Sequence, residues 1–269
     1  SFPLKADKYT FFKLEITELI DNKQKPQLAE LSIDASTELP YSDYTRTLDI
    51  DNAIHTVMYK ENGITFKREY FMSYPDNVMV MRLTSDSKKG KLSRIISLES
   101  LHTDKTITAD GHTITMTGYP TPVSGDKRIG DAWKNGLKYA QQLVVRNKGG
   151  KISVVDGTKL KVEDADEIIV LMSAATNYVQ CMDDSYNYFS QEDPLEKVQA
   201  TLHKVADKKY TALLATHQKD YHSLYDRMRL NLGNLLEAPV APTDSLLKGM
   251  DENTNSEQEN QYLEMLYFQ

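Results

Sequence analysis

Residues 54–71 have the sequence IHTVMYKENGITFKREYF, and this stretch decides the fold class. Two runs of alternating apolar and polar side chains stand on either side of Asn62-Gly63, a pair that readily adopts the positive φ angles of a tight hairpin turn. In the second run, residues 64, 66 and 68 fall on one face and residues 65, 67 and 69 on the other. The stretch therefore predicts an antiparallel β-hairpin.

Further strands are predicted after this hairpin, and glycine-containing turns separate several of them. The predicted strands cover residues 77–84, 93–98, 112–117, 139–145, 151–155, 159–162 and 168–174. The run at 77–84 is almost continuously apolar, which predicts a central strand, and 139–145 is expected to pair with 151–155 across the glycines at 149 and 150. Because no helical runs interrupt these strands, the pattern favours an antiparallel sandwich over a βαβ sheet.

The hydrophobic period becomes helical after residue 192. Asp193 is a favourable N-cap and Pro194 a favourable first helical residue. The apolar positions that follow at helical spacing are Leu195, Val198, Leu202 and Val205, then Leu213, Leu214, His217, Tyr221, Leu224 and Met228. The polar residues 207–209 between the two sets predict two helices, or one helix with a break, before a strand-like return at 229–233.

A third region begins near residue 235. Its first part, Ala238 to Pro242, is a proline-containing linker. Thr243-Asp244 is expected to cap a short helix that runs to Met250, residues 251–259 are expected to form a polar loop, and an apolar helix is expected from Gln261.

The composition excludes several classes of protein. The chain has 269 residues, a net charge of −7 and no basic run, so no nucleic-acid partner is expected. No apolar stretch approaches the roughly 20 residues of a membrane span. Cys181 is the single cysteine, so no internal disulfide can form, and we interpret it as a passive side chain.

Most catalytic and metal-binding motifs are missing or incomplete. Residues 125–131 have the glycine spacing of a phosphate loop, but Asp131 stands where that loop requires lysine. His217 and His222 are five residues apart and therefore lie on different sides of a helix, which is unsuitable for a zinc pair. His217 is predicted to be a core histidine with satisfied hydrogen bonds. No metal and no cofactor are expected.

Acidic residues are abundant, but their spacing does not identify a catalytic pair. Asp49 and Asp51 are expected to share a solvated strand face, and residues 163–167 to form a charged turn. The segment from Asp183 to Tyr188 combines oxygen ligands with aromatic rings, so it could bind calcium or a sugar. A surface loop that caps the sandwich is the favoured interpretation of that segment.

The only tryptophan, Trp133, lies between Gly130 and Gly136 and follows Asp131. A loop tryptophan with polar neighbours can stack on the apolar face of a sugar ring, and it can equally pin a loop to the core. Trp133 and Asp131 are therefore the candidate substrate-binding residues.

Blocks spread along the chain resemble the signatures of glycoside hydrolase family 95. They are residues 44–53 with 57–59, then 63–76, 173–178, 217–233 and 266–269, and they occur in family order. The first resembles the pattern Tyr-x-Arg-x-Leu-Asp-Leu…Ala…Val-x-Tyr, and the last resembles the start of a barrel helix. Residues 1–43 match the family pattern poorly.

The resemblance implies a mainly β chain with an antiparallel super-β-sandwich, linker helices and the truncated start of an (α/α)6 barrel. The expected domains are a sandwich at 1–192, a helical linker with a returning strand at 193–234, and the barrel start at 235–269. The implied activity is inverting hydrolysis of terminal α-L-fucosyl or α-L-galactosyl linkages of glycans. The family's catalytic residues lie in the barrel, and no position of this chain matches them.

The chain itself is therefore expected to be inactive and to pack on its own helical catalytic domain. A periplasmic or extracellular bacterial location is expected, with a signal peptide not present in this chain. The alternative is a stand-alone carbohydrate-binding or structural sandwich without catalysis. A third possibility is a phosphorylase-type protein with the same architecture.

Overall fold

The computed structural model describes residues 41–87, 92–120, 136–179, 189–229 and 241–268. These residues form strands β1 (Ser42–Asp49), β2 (Ile54–Glu61), β3 (Ile64–Ser73), β4 (Val78–Ser85), β5 (Leu92–Ile96), β6 (Lys105–Asp110), β7 (Thr113–Gly118), β8 (Tyr139–Lys148), β9 (Lys151–Val155), β10 (Lys159–Ala165) and β11 (Glu167–Thr176). They also form helices α1 (Pro194–Val205), α2 (Tyr210–Tyr225), α3 (Thr243–Asp251) and α4 (Glu257–Phe268).

The described strands form two antiparallel sheets, so the predicted mainly β sandwich is confirmed. The larger sheet has the order β1-β2-β3-β4-β11-β8-β7-β6, and the smaller has the order β5-β10-β9. The hairpin at 54–71 is confirmed as β2 and β3, with Asn62 at φ 51° and Gly63 at φ 76°. The apolar run at 77–84 is β4, in the middle of the larger sheet as predicted.

The predicted pairing of 139–145 with 151–155 is wrong. β8 pairs with β7 and β11 in the larger sheet, whereas β9 pairs with β10 in the smaller one. Gly149 and Gly150 have φ values of 68° and 64°, and a Cβ on Gly150 would collide with the backbone at Glu163. The two glycines therefore carry the chain from one sheet to the other instead of closing a hairpin.

A hydrophobic core lies between the two sheets. β11 shows how it is built, because Ile168 and Val170 point toward the smaller sheet while Ile169 and Leu171 point away from it. This alternation is the period of two that strands impose. The smaller sheet supplies Leu92, Leu160, Val162 and Ala165 to the same core.

The opposite face of the larger sheet is covered by α1 and α2. Val198, Leu202 and Val205 of α1 and Leu213 of α2 are buried there against strand residues such as Phe71. The two sheets and helices α1 and α2 therefore stack in the order small sheet, large sheet, helices. Because both faces of the large sheet are covered, its central strands lack the simple in-and-out polarity of a solvated sheet.

The start of α1 and the break before α2 are confirmed. The Asp193 carboxylate accepts a 2.9 Å hydrogen bond from the Leu195 amide, and Pro194 is the first helical residue. The helical stripe predicted beyond Tyr221 is wrong, because the side chains of Leu224 and Met228 are exposed. The predicted strand-like return at 229–233 lies outside the described residues beyond Arg229.

Two details of the last helices differ from prediction. Pro242 precedes α3, and neither Thr243 nor Asp244 provides a side-chain cap. α4 begins at Glu257 rather than near Gln261, because Ser256 and Glu259 form a reciprocal capping box. That Ser-x-x-Glu spacing is visible in the sequence and identifies the helix start.

Candidate functional site

The two predicted substrate-binding residues, Asp131 and Trp133, lie outside the described residues, as do Cys181, Asp183 and Asp184. Their chain neighbours on either side are described. Residues 121–135 are preceded by Pro120 and followed by Gly136, and residues 180–188 are followed by Phe189. The structure therefore shows the framework from which these two segments leave.

Asn177 ties this framework together. Its side-chain oxygen accepts a 2.7 Å hydrogen bond from the Lys138 amide, and its amide nitrogen donates to the carbonyls of Gly136 at 2.7 Å and Ser190 at 3.4 Å. Asn177 is 4% exposed, so these bonds satisfy a side chain that water scarcely reaches. We call the set formed by residues 136–139, 177–178 and 189–190 the loop corner.

Packing in the loop corner is close. A Cβ on Gly136 would collide with the ring of Phe189, so glycine is required for this approach. Tyr178 and Phe189 form an isolated antiparallel bridge, and the Ser190 amide donates a 2.8 Å hydrogen bond to the Asn177 carbonyl. The segments that follow 121–135 and 180–188 are thus held side by side.

A polar cleft of about 290 Å³ lies next to the loop corner. We call it the β6–β8 cleft, and its lining residues are Asp104, Thr106, Thr117, Gly118, Tyr119, Lys138, Tyr139, Asp193, Pro194 and Leu195. It combines carboxylates, an ammonium group, hydroxyls and two phenol rings. That mixture is suited to a hydroxylated ligand rather than to a purely apolar one.

Several acidic residues predicted as solvated charges also form hydrogen bonds or ion pairs within the protein. Asp49 and Asp51 are exposed, as predicted, but they do not share a strand face, because Asp49 ends β1 and Asp51 lies in the following turn. Asp49 accepts a 3.0 Å hydrogen bond from the Asn52 amide instead. Hydrogen bonds from Lys161 and Lys151 hold the pKa of the Glu163 carboxyl below its usual value.

Glu167 belongs to a partly buried network on the helix-covered face of the large sheet. Arg82 donates to its carboxylate at 2.6 Å through Nε, and Glu69 lies 3.5 Å from the same guanidinium. Burial would lower the pKa of Arg82, but the bond to Glu167 and the two carboxylates outweigh it and raise that pKa. The guanidinium carbon lies 4.6 Å from the centre of the Tyr210 ring.

The turn between β1 and β2 receives a hydrogen bond at four successive residues from side chains of α2. Tyr221 donates to the Ile50 carbonyl at 2.6 Å, and His222 Nε2 lies 2.7 Å from the Asp51 carbonyl. Gln218 donates to the Asn52 side chain at 3.2 Å, and His217 Nε2 lies 3.0 Å from the Ala53 carbonyl. We call these four contacts the turn–helix latch.

The hydrogen bonds of the latch account for both histidines, His217 and His222. His217 is 7% exposed, stacks on Phe71 with ring centres 4.9 Å apart and bonds a carbonyl, so its prediction as a satisfied core histidine is confirmed. His217 and His222 bond two different carbonyls of one turn. Among the described residues, no group of three or more His, Cys, Asp or Glu side chains is arranged to hold a metal ion.

Sequence reasoning did not identify the loop corner, the cleft or the latch. Three of the four latch bonds use backbone carbonyls as acceptors, and these carry no sequence signal. Asn177 does have one signal, because a buried asparagine directly after a long apolar strand must find hydrogen-bond partners. No helix in the described part of the chain is both long and apolar enough to cross a membrane.

The sequence matches two family descriptions. Residues 8–181, more than half of the chain, match "Glycosyl hydrolase family 65, N-terminal domain", and residues 209–269 match "Glycosyl hydrolase family 95 catalytic domain". The second match begins one residue before α2, the helix that forms the latch.

Similar proteins include fungal and plant enzymes. "Probable alpha-fucosidase A" of Aspergillus niger is 28% identical over 90% of this chain and 29% of its own length. "Alpha-L-fucosidase 2" of Arabidopsis thaliana is 33% identical over 71% of this chain and 24% of its own length. The chain thus spans about a quarter to a third of these relatives. A solved structure called "Putative kojibiose phosphorylase from human microbiome" aligns with a TM-score of 0.47 at 11% identity, covering 69% of this chain and 25% of that one.

These matches define the class of protein as a glycoside hydrolase with an N-terminal β-sandwich. The chain belongs to the family described as "Glycosyl hydrolase family 65, N-terminal domain", and its match to the family 95 catalytic domain and to relatives named as α-fucosidases agrees with the resemblance carried by the blocks at 44–53 with 57–59, 63–76 and 173–178.

Proposed function

We propose that this chain is the non-catalytic N-terminal part of an inverting exo-glycosidase that hydrolyses terminal α-L-fucosyl, or α-L-galactosyl, linkages of glycans. The match of residues 209–269 to a family 95 catalytic domain carries this proposal, and the two relatives named as α-fucosidases give the substrate class. The proposal assigns a scaffold role to the sandwich.

The scaffold role is supported by how α2 is held. All of α2 lies in the region that matches the catalytic domain, yet its side chains bond the β1–β2 turn of the sandwich. Just before α2, Lys208 forms a 2.6 Å ion pair with Asp76, whose side chain is 3% exposed. The sandwich thereby fixes the direction in which the chain enters the catalytic region.

An apolar cleft between α3 and α4 supports packing against further helices of the same protein. The cleft measures about 900 Å³, and Leu247, Met250 and Tyr267 around it are 53%, 60% and 95% exposed. Apolar side chains exposed together in this way mark a surface that another element covers. We assign that element to the helical catalytic domain. This surface also favours the hydrolase over a stand-alone sandwich module.

The reaction proposed for the complete protein uses two carboxyl groups. A general acid protonates the leaving oxygen while a base activates water on the opposite face of the sugar, with the two groups roughly 6.5–9.5 Å apart. Neither group is assigned to this chain. Asp131 and Trp133 are proposed to contact the glycan, and the proposed location is periplasmic or extracellular.

The test compares this chain with a longer form that includes the complete catalytic domain. The longer form should release fucose from 2′-fucosyllactose, and proton NMR should show the inverted anomer first. The chain of 269 residues should release none. Fucose release by the chain itself, or phosphate-dependent cleavage by the longer form, would contradict the proposal. The variant Trp133→Ala should raise KM more than it lowers kcat.

A further inference from the structure

We propose that the β6–β8 cleft is a binding subsite for a neutral sugar unit of the glycan, separate from the site of hydrolysis. The ligand class rests on the proposed function, whereas the cleft is argued from the described residues that line it. Its location beside the loop corner puts it on the sandwich rather than on the helices that match the catalytic domain.

Several polar groups that line the cleft are available to bind a ligand. Asp104 and Lys138 are exposed and form no ion pair with a described residue. Asp193 uses one carboxylate oxygen to cap α1, which leaves its other oxygen available. Carboxylates accept strong hydrogen bonds from hydroxyl groups, and an ammonium group donates them to ring and hydroxyl oxygens.

Two phenol rings and one glycine shape the cleft. Tyr119 and Tyr139 line it, and the ring of Tyr139 is positioned by His102 with ring centres 5.5 Å apart. A Cβ on Gly118 would lie 2.8 Å from the Tyr139 hydroxyl and would collide with the Asp104 carbonyl. Glycine therefore lets the strand end approach both residues closely. Phenol rings offer the apolar surface on which sugar rings pack.

Size and charge limit the ligand. A volume of about 290 Å³ is at the lower end of ligand pockets, which suits one or two sugar rings rather than an extended chain. Among the described lining residues, two carboxylates (Asp104 and Asp193) and one ammonium (Lys138) give a formal charge of −1. An anionic ligand such as a phosphate or an acidic sugar is disfavoured by that charge, whereas a neutral hydroxylated ring is accepted.

The test uses the 269-residue chain titrated with 2′-fucosyllactose, and with lactose as a second arm, by calorimetry and by amide NMR. Saturable binding should shift the amide signals of Tyr119, Lys138, Tyr139 and Leu195. The exposed substitutions Asp104→Ala and Lys138→Ala should each weaken binding about tenfold while leaving the circular dichroism spectrum unchanged.

Matched controls lie at the other ends of the same strands. Asp104 precedes β6, which ends at Asp110, and Lys138 precedes β8, which ends at Lys148. Asp110→Ala and Lys148→Ala make the same chemical changes away from the cleft and should leave binding unchanged. Absence of saturable binding to either sugar, or equal weakening by the control substitutions, would overturn the subsite.

Failure of the subsite and failure of the proposed function give different results. If the longer protein hydrolyses fucosides but this chain binds neither sugar, the subsite is wrong and the hydrolase proposal stands. If this chain binds either sugar through the cleft but the longer protein releases no fucose, the subsite stands and the assigned activity is wrong.

Discussion

Substitution of Tyr221 by phenylalanine is the sharpest test of the turn–helix latch. The change removes one hydroxyl, which donates a 2.6 Å hydrogen bond to the Ile50 carbonyl, and leaves the ring in place. That ring stacks on Tyr225 with centres 5.0 Å apart, so packing is preserved. Burial raises the pKa of the Tyr221 hydroxyl, which therefore remains a donor throughout the neutral range.

The expected loss in the free energy of unfolding is about 1 kcal/mol, the usual net value of one neutral hydrogen bond. For a protein of this size, that loss lowers Tm by about 2–4 °C. Adding His222→Ala removes the neighbouring bond to the Asp51 carbonyl and should bring the total to about 2 kcal/mol. Urea unfolding followed by circular dichroism measures both values.

Hydrogen exchange gives the location of the effect. The amides of α2 and of residues 50–53 should exchange faster in Tyr221→Phe, whereas those of β4 and β11 should keep their protection. Tyr267→Phe is the matched control, because Tyr267 is 95% exposed on α4 and loses the same hydroxyl. If the two variants lose equal stability, or if exchange rises uniformly, the latch does not hold the helix to the turn.

Four further substitutions test three other sets of contacts. Burial raises the pKa of Tyr210 from 10.0 to about 12. The buried, protonated phenol therefore contributes fully to stability below pH 10, and this contribution is lost as the pH rises from 10 to 12. Tyr210→Phe should abolish that loss, about 2–3 kcal/mol, in urea unfolding at pH 9 and pH 12. Lys208→Met should lower the free energy of unfolding by about 2 kcal/mol, less than the 3–5 kcal/mol of a fully buried pair, because Lys208 is 43% exposed. Adding Asp76→Asn to this variant should recover part of the lost stability, as a double-mutant cycle measures. Asn177→Ala should cost about 2–4 kcal/mol in thermal unfolding and should accelerate amide exchange at residues 136–138, and unchanged exchange there would contradict its role in the loop corner.

The hairpins could be predicted from sequence because their signals are local. Asn62-Gly63 and Asp156-Gly157 each join neighbouring strands, and the positive φ angles that the turns need are met by those residue types. The α1 start was equally local, since Asp193 caps an amide two residues away. Within these segments the sequence pattern and the structure agree.

The partner of β8 could not be predicted in the same way. Gly149-Gly150 has the composition of a hairpin turn, but β8 supplies buried apolar side chains to both of its faces and therefore belongs in the larger sheet, which is covered on both sides. β9 is mostly exposed, so it remains at the edge of the smaller sheet. The burial of the two strands decides whether they pair as a hairpin or lie in different sheets. That burial depends on elements far along the chain.

The loop corner and the cleft beside it could not be predicted from the sequence. The loop tryptophan and the strand end at 173–178 were identified separately, and nothing in their spacing showed that Lys138 and Ser190 meet at Asn177. The prediction that Leu224 and Met228 continue the apolar helix face was wrong for a related reason. Periodicity shows which residues share a face, but not where the surface that covers this face ends.

Three of the blocks that carry the family resemblance contain joints, by which we mean residues whose hydrogen bonds connect separate elements of the fold. The block at 44–53 ends in the turn that accepts the four latch bonds, the block at 217–233 begins with the histidine that donates one of them, and the block at 173–178 contains Asn177. A joint of this kind demands particular side-chain donors at fixed positions, whereas a sugar-binding surface can use many combinations of hydroxyl, carboxylate and aromatic groups. Under the proposed function, the resemblance in this part of the chain reflects the contacts by which the sandwich holds the region that matches the catalytic domain. Under the same proposal, binding experiments on variants of the β6–β8 cleft are the way to identify the glycan.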